Sequence, residues 1–545
     1  MPDVSGASAY VTSRTAMTIR VECSSALKYL SASFIRLANR VGALRGWRRW
    51  GILIFFGAVA TLALPPVNWF PAFILSGVGL VWCLAYGSNT KWSGFAVGWA
   101  FSFGYFVFGL YWIGNALLVF ADQHAWMLPF VSFGLPAFLA VFGGFAGFAA
   151  SFARGPLATA LAVTAAFSLA DWLRGNILTG LPWNLFGHVW TGIDPLLQSA
   201  SLYGIYGMGI TALLTATLPS GLASELRWQR FAAILLPLAI LGIHWAAGEI
   251  RLAGAVVDDK SGIGIRLVQA NIPQREKWAS QHRARNISAH LRLSAENRPS
   301  WVHHIVWPEM AATFYLEQDL KSREFLSSVV PTGGLLITGA PRRNLEGGTH
   351  NAILALDDTG QIAGYYDKAR LVPFGEYVPL ASVLPLEKIT QGASGYSPGP
   401  GVRTLRLPGL PPASFLVCYE IIFPANVVND AERPDVIINL TNDAWYGATS
   451  GPHQHFANAR LRAVEEGIPL VRAAYTGISG IVDSYGRVQG AIPLNVAGYL
   501  DFRLPEPLRH APLYSRLGDT VYFAMFIVIV LAAAGIYRLE IMRSG

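Results

Sequence analysis

Charge and cysteine are both scarce in this 545-residue chain: charged residues make up 14% of it, and there are only 3 cysteines. So little charge beside 53% hydrophobic residues excludes an ordinary soluble globular protein. Of the cysteines, Cys23 and Cys83 fall in the N-terminal arm and an apolar run, leaving Cys418 alone in the one long mixed-composition segment. A disulfide within that segment is therefore excluded. Residues 1 to 45 lack the apolar core of a signal peptide, so the first apolar helix reads as an uncleaved anchor. No basic patch with interleaved aromatics accompanies the net charge of +8, which instead sits at helix ends that would meet anionic lipid head groups. Nucleic acid is thereby excluded as a partner. His303-His304 and the pair His453 and His455 lack a third ligand at metal spacing, so neither a metal nor another cofactor is expected.

What the sequence does contain is long apolar runs. Crossing ~30 Å of hydrocarbon takes about 20 apolar helical residues. Eight candidates lie near 51–66, 72–88, 92–120, 126–152, 156–174, 199–223, 230–249 and 517–537, and Pro65, Pro66 and Pro71 make the first two a tight hairpin. Arg36, Arg40, Arg45, Arg48 and Arg49 put the N-terminus in the cytoplasm, and Lys91, Arg154, Arg227, Arg230, Arg538 and Arg543 fall on the same side. The expected organisation is a cytoplasmic arm (1–50), a membrane domain of seven helices (51–249), an extracytoplasmic domain (250–516), and an eighth helix with a cytoplasmic tail (517–545). Within the arm, Leu27, Leu30, Phe34, Leu37, Val41 and Leu44 recur at helical steps, which fits an amphipathic helix lying on the inner leaflet; a frayed, functionless extension is the alternative. Asp171, Arg174 and Glu249 lie near helix ends, where charged side chains snorkel to the interface, and form no transport path.

The segment 250–516 alternates short β-branched runs with helical stretches. Strands are expected at Gly264–Ala270, Val302–Trp307, Gly334–Gly339, Ala352–Leu356, Ser414–Cys418 and Val436–Leu440, with helices near 276–297, 317–330 and 453–467, giving a layered α/β domain. Cys418 ends one strand and opens a turn into a helix, whose N-terminus, with a nearby lysine, would favour a thiolate. Glu309 offers a base and Lys368 a cation for an oxyanion, a set suited to acyl transfer through a thioester. The Gly- and Ser-rich stretch Gly392–Gly401, preceded by Leu380, Val383, Leu384 and Leu386, is expected to form a lipid-contacting lid.

Three motifs together carry a resemblance. Trp307-Pro308-Glu309, Lys368 with Val372-Pro373-Phe374-Gly375-Glu376, and Cys418-Tyr419-Glu420 resemble the Glu-Lys-Cys signature of the nitrilase, or carbon-nitrogen hydrolase, superfamily. With eight apolar helices, the chain resembles the apolipoprotein N-acyltransferase family. Further matching segments are Gln269 to Gln274 with Lys277-Trp278, Asn442-Asp443-Ala444-Trp445-Tyr446-Gly447, Pro452-His453-Gln454-His455, Trp172-Leu173-Arg174-Gly175 and Gly180-Leu181-Pro182-Trp183. Asp171 stands where a glutamate is expected and Tyr446 where a phenylalanine is usual.

The resemblance implies a polytopic α-helical membrane domain carrying an αββα sandwich on the periplasmic face of a bacterial inner membrane. It implies Glu309, Lys368 and Cys418 as catalytic residues, Glu376 as a second acid orienting Lys368, Tyr419 and Glu420 as shaping the nucleophile turn, and Trp278 at the pocket mouth. The implied reaction takes an acyl chain from a phospholipid to the α-amino group of a diacylglyceryl apolipoprotein, with the bilayer as medium and the enzyme a monomer. A membrane-tethered amidase using water as acceptor and a noncatalytic membrane scaffold are the alternatives.

Overall fold

The computed structural model describes residues 32–88, 90–255, 262–344, 347–379 and 395–544. Leu380, Val383, Leu384 and Leu386 of the expected lid, and Cys23, Leu27 and Leu30 of the arm, lie outside the described residues. The arm's described part is helical over 32–42 and buries Ala38 against Trp82 and Ala223.

Apolar helices occupy each expected stretch: α1 (Gly46–Ala60), α2 (Phe70–Ala85), α3 (Lys91–Gly109), α4 (Leu135–Ala150), α5 (Pro156–Asn176), α6 (Ala200–Thr217) and α7 (Arg227–Ala253), with the C-terminal helix Thr520–Ser544 as the eighth. Among the described residues, five stretches are long and apolar enough to cross a membrane, Ala121–Ala150, Pro156–Asn176, Ala200–Ala223, Arg227–Ala253 and Thr520–Met542. α3 with its continuation Tyr111–Leu118 makes a sixth if that bent pair is one span, while α1 and α2 have 15 and 16 residues.

Two expectations about this region change. The single helix expected over 92–120 bends by 48° after Gly109, and beyond the bend the Trp112 indole donates to Gln454 Oε1 at 3.0 Å and Asn115 donates to the Tyr446 carbonyl at 2.8 Å. The bend turns these donors onto the α/β domain. Asp171 and Arg174 do not snorkel: they are 7% and 2% exposed and form a 2.9 Å ion pair. Arg174 Nη1 also donates to the carbonyls of Leu181 and Trp183, and Asp171 Oδ2 accepts from Phe186 N–H. A buried pair that also satisfies backbone groups fixes the loop after α5, whereas a snorkelling pair would leave it free. Helix approach here depends on missing side chains, since a Cβ on Gly98 would lie 2.1 Å from the Gly143 carbonyl oxygen.

The α/β domain is two six-stranded sheets packed face to face. One has the order β12-β1-β2-β3-β4-β5, with β1 (Gly264–Gln269), β2 (His304–Val306), β3 (Leu335–Arg343), β4 (Thr349–Asp357), β5 (Ile362–Asp367) and β12 (Gly498–Arg503). The other runs β11-β10-β9-β8-β7-β6, with β6 (Thr404–Leu405), β7 (Ala413–Val417), β8 (Val436–Thr441), β9 (Leu470–Ala474), β10 (Ser479–Val482) and β11 (Val488–Ile492). Central strands β1, β2 and β3 are mutually parallel, as are β7, β8 and β9. Strands buried on both faces read as continuous apolar runs, which is why these were legible. β9 is the exception and was not read as a strand; its Arg472 is fully buried and held by Asn439 and Asp443.

Ile265, Val306 and Ile337 of one sheet meet Phe415, Val417, Ile438 and Val471 of the other in the inner core. Helices α8 (Arg283–Ala295) and α9 (Leu320–Ser327) cover the first sheet's outer face, completing one αβ half. On the second sheet's outer face, α10 (Ser450–Glu466) lies between Leu416, Ile437 and Leu470 and the membrane-domain helices in a single core. The expected αββα sandwich is therefore present, with its last layer wedged against the apolar helices.

Candidate active site

Glu309 and Cys418 follow the carboxyl ends of the parallel strands β2 and β7, where open α/β sheets leave a crevice. Lys368 follows β5 and enters the same buried space. A glycine at 339 on β3 is required for this approach, because a Cβ there would sit 2.7 Å from the Glu309 Cα. Lys368 Nζ pairs with Glu376 Oε2 at 2.8 Å and stands 3.9 Å from Glu309 Oε1. Burial disfavours the Lys368 charge, but Glu376 and Glu309 outweigh it and hold its pKa above the ordinary lysine value. Lys368 is thus a fixed cation.

Sequence reading missed Asn351, on β4. Its amide donates to Glu309 Oε1 at 2.7 Å and to Glu376 Oε1 at 2.8 Å, joining the two acids. An asparagine inside a strand carries no periodic signal, and only the register of β4 against β5 brings it here. Glu309 Oε2 remains buried with no hydrogen-bond partner among the described residues. That oxygen has a lone pair available for a proton.

Cys418 occupies the left-handed backbone region, φ 52°, at the start of a five-residue 3₁₀ turn, Cys418–Ile422. Glu420 secures this turn: Oε2 accepts from Val417 N–H at 2.7 Å, while Oε1 accepts from the Tyr366 hydroxyl and from the N–H groups of Ala369 and Arg370. One carboxylate therefore ties the cysteine turn to the turn carrying Lys368. Tyr419 donates to the Gly180 carbonyl at 3.0 Å, anchoring the turn to the membrane-domain loop. Trp278 is half-buried and packs with Met310, Leu371 and Tyr396.

The expected resting thiolate is not supported. Burial and then Glu309 push the Cys418 thiol up to about 12, against Lys368 and the Asn442 N–H. A single 3₁₀ turn in place of a longer helix adds little dipole to offset this. These surroundings favour the thiol over the thiolate, so attack calls for a base.

A second lysine, Lys277, is buried beside the acid. Its Nζ donates to the Glu309 carbonyl at 2.9 Å and lies 3.9 Å from the Tyr475 ring centroid, and burial lowers its pKa to about 7 despite Glu309 and Cys418. Behind the cysteine, Asp443, His455 and Arg472 are fully buried. Asp443 Oδ1 lies 2.7 Å from His455 Nδ1 and Oδ2 accepts from Arg472 at 2.7 Å; His455 Nε2 faces the Cys418 carbonyl oxygen at 3.2 Å. Against burial, His455 and Arg472 keep Asp443 below its usual pKa. Burial and Arg472 push the His455 pKa down. Nδ1 lies between Asp443 Oδ1 and Arg472 Nη2, at 2.7 and 3.1 Å, while Nε2 faces the Cys418 carbonyl oxygen, which can only accept, so the proton belongs on Nε2. Ligand-capable atoms of Cys418, Asp443 and His455 lie within 4.8 Å of one another. With Asp443 and His455 already engaged in protein hydrogen bonds, the group is better suited to support than to metal ligation.

The two-sheet fold with a buried Glu-Lys-Cys constellation defines a carbon-nitrogen hydrolase-type domain, and the carbon-nitrogen hydrolase family model matches residues 264–504. The model of the apolipoprotein N-acyltransferase N-terminal domain matches residues 56–218. An apolipoprotein N-acyltransferase of Brucella melitensis biotype 1 is 38% identical over 520 residues, 92% of this chain and 97% of that protein. One from Allorhizobium ampelinum is 40% identical over 484 residues, 85% and 91% of the two chains. The chain belongs to the apolipoprotein N-acyltransferase family. Among solved structures, a mutant of the Nesterenkonia AN1 amidase from the nitrilase superfamily aligns with 50% of this chain and all of its own, with 19% identity and a TM-score of 0.36.

Proposed function

We propose that this membrane enzyme moves an acyl chain from a phospholipid to the α-amino group of an apolipoprotein's N-terminal diacylglyceryl cysteine, through a thioester on Cys418. The supporting observation is the unpartnered Glu309 Oε2 in a buried pocket that also holds the Lys368 cation and the Cys418 thiol. Glu309 takes the thiol proton as sulfur attacks the ester carbonyl, and Lys368 with backbone N–H groups stabilises the oxyanion. The carbon–oxygen bond breaks, Glu309 returns the proton to the departing lysophospholipid oxygen, and a thioester remains. The acceptor amine then attacks and gives up its proton to Glu309. The carbon–sulfur bond breaks to leave an amide, and the thiolate is reprotonated. Glu376 holds Lys368, Glu420 holds the cysteine turn, and Trp278 stands at the pocket mouth.

The basic residues at helix ends support an inner-membrane location with both termini cytoplasmic and the α/β domain (250–516) periplasmic. A reporter active only in the cytoplasm is expected to be silent when fused near Gly347 and active at the C-terminus; the opposite pattern overturns this orientation. The chemistry is tested by incubating purified protein with acyl-labelled phospholipid. A hydroxylamine-sensitive label should appear on the protein and move to a diacylated lipopeptide when that acceptor is added. Release of the label only as free fatty acid would instead favour an amidase-like hydrolase, and no label at all would favour a scaffold.

A further inference from the structure

Deeper than the three proposed catalytic groups lies a question of how Cys418 is kept in its left-handed conformation. A non-glycine residue there is strained and persists only where its surroundings over-determine it. Two restraints bear on it. Glu420 holds the N–H of the preceding residue, Val417, and His455 Nε2 faces the Cys418 carbonyl at 3.2 Å. The imidazole is itself fixed at every side: Asp443 binds Nδ1, Arg472 binds Asp443, and the Trp183 ring lies 5.2 Å from it, centroid to centroid.

The helix that carries His455 is clamped to the membrane domain along its length. Gln454 Oε1 accepts from both Trp112 and Trp183, Asn458 Oδ1 meets His188 Nε2 at 2.8 Å, and Glu465 Oε1 accepts from Ile205 N–H next to the break at Gly204. A donor on this helix therefore references the nucleophile to the membrane-domain helices.

We propose that His455, oriented by Asp443, is a positioning residue that donates Nε2–H to the Cys418 carbonyl and so aims the thiol at the acyl donor. This rests on Cys418 being the nucleophile. Glutamine and asparagine separate the two edges of the ring, because the Gln amide nitrogen reaches the place of Nε2 and the Asn amide nitrogen the place of Nδ1. His455→Gln keeps a donor toward Cys418; His455→Asn keeps only the bond to Asp443.

The measurement is single-turnover labelling of the full-length protein by acyl-labelled phospholipid over a range of phospholipid concentrations, together with the unfolding temperature. His455→Gln should label within about tenfold of wild type. His455→Asn should label about 100-fold more slowly at saturation with half-saturation unchanged, the size of loss an ångström-scale misplacement of a reacting group brings. Unfolding temperatures of the two variants should agree. Labelling of His455→Asn as fast as His455→Gln, or parallel loss of folding or rate in both, would make the ring core packing and overturn the proposal. Cys418→Ala runs alongside: if it still takes label, the nucleophile assignment fails, whereas an unlabelled Cys418→Ala beside an active His455→Asn sinks the positioning role alone.

Discussion

Cys418→Ala is expected to form neither acyl-enzyme nor amide product, with a loss on the order of 10⁶-fold, as when the nucleophile of another covalent catalyst is deleted. Cys418→Ser should be nearly as inactive. Serine preserves the geometry at φ 52° and the neighbouring bonds, but its hydroxyl is a weaker acid than a thiol already pushed up to about 12. Glu309 is then asked for a harder proton transfer, and an alkoxide is a poorer leaving group than a thiolate in the second half-reaction. Both variants should fold, because the cysteine side chain makes no structural hydrogen bond that alanine would orphan in the core except the one from Asn442 N–H. Mass analysis after incubation with acyl-labelled phospholipid decides it; a stable acyl adduct on Cys418→Ala would place the nucleophile elsewhere.

Glu309→Gln should stop the first half-reaction as well as the second. A thiol whose pKa is raised by burial and by Glu309 is overwhelmingly protonated at pH 7, so without a base the reactive species is scarce. Replacing Glu309 also removes a charge that raises the thiol pKa, which returns part of this loss. The net decrease in acyl-enzyme formation is expected at about 10³- to 10⁴-fold, the upper range for a general base. The pH dependence gives the sign. Below the thiol pKa the thiolate fraction grows tenfold per unit, so labelling of Glu309→Gln should climb steeply from pH 7 to 9 while the wild type changes little. A Glu309→Gln variant that labels at the wild-type rate at pH 7 would remove Glu309 as the base.

The thiol's protonation is where sequence reasoning and structure part most clearly. A cysteine before a turn and a lysine in the same domain read as a recipe for a thiolate, but the sign depends on which charge lies nearer and how much water remains. Lys368 is already neutralised by Glu376 at 2.8 Å, and Cys418 is 6% exposed. The motif Asn442 to Gly447 and the run Pro452 to His455 were visible as segments, yet nothing in either announced that Asp443 and His455 would meet beneath the cysteine. Asn351 and Lys277 likewise acquire meaning only once four loops converge.

By itself the sequence determined the eight apolar helices, the central strands other than β9 and the motifs that carry Glu309, Lys368 and Cys418, because apolar runs and short motifs are local properties of the chain. Only the tertiary structure decided that α3 bends to offer Trp112 to Gln454, that Asp171 and Arg174 are buried rather than snorkelling, and that β9 carries a buried arginine. Trp112 and Gln454 are 342 positions apart, and even the i,i+3 pair Asp171–Arg174 is buried only by the chain that packs around it. Their free energy depends on desolvation and hydrogen-bond geometry at the point of contact, which leave no periodicity in the sequence to be read.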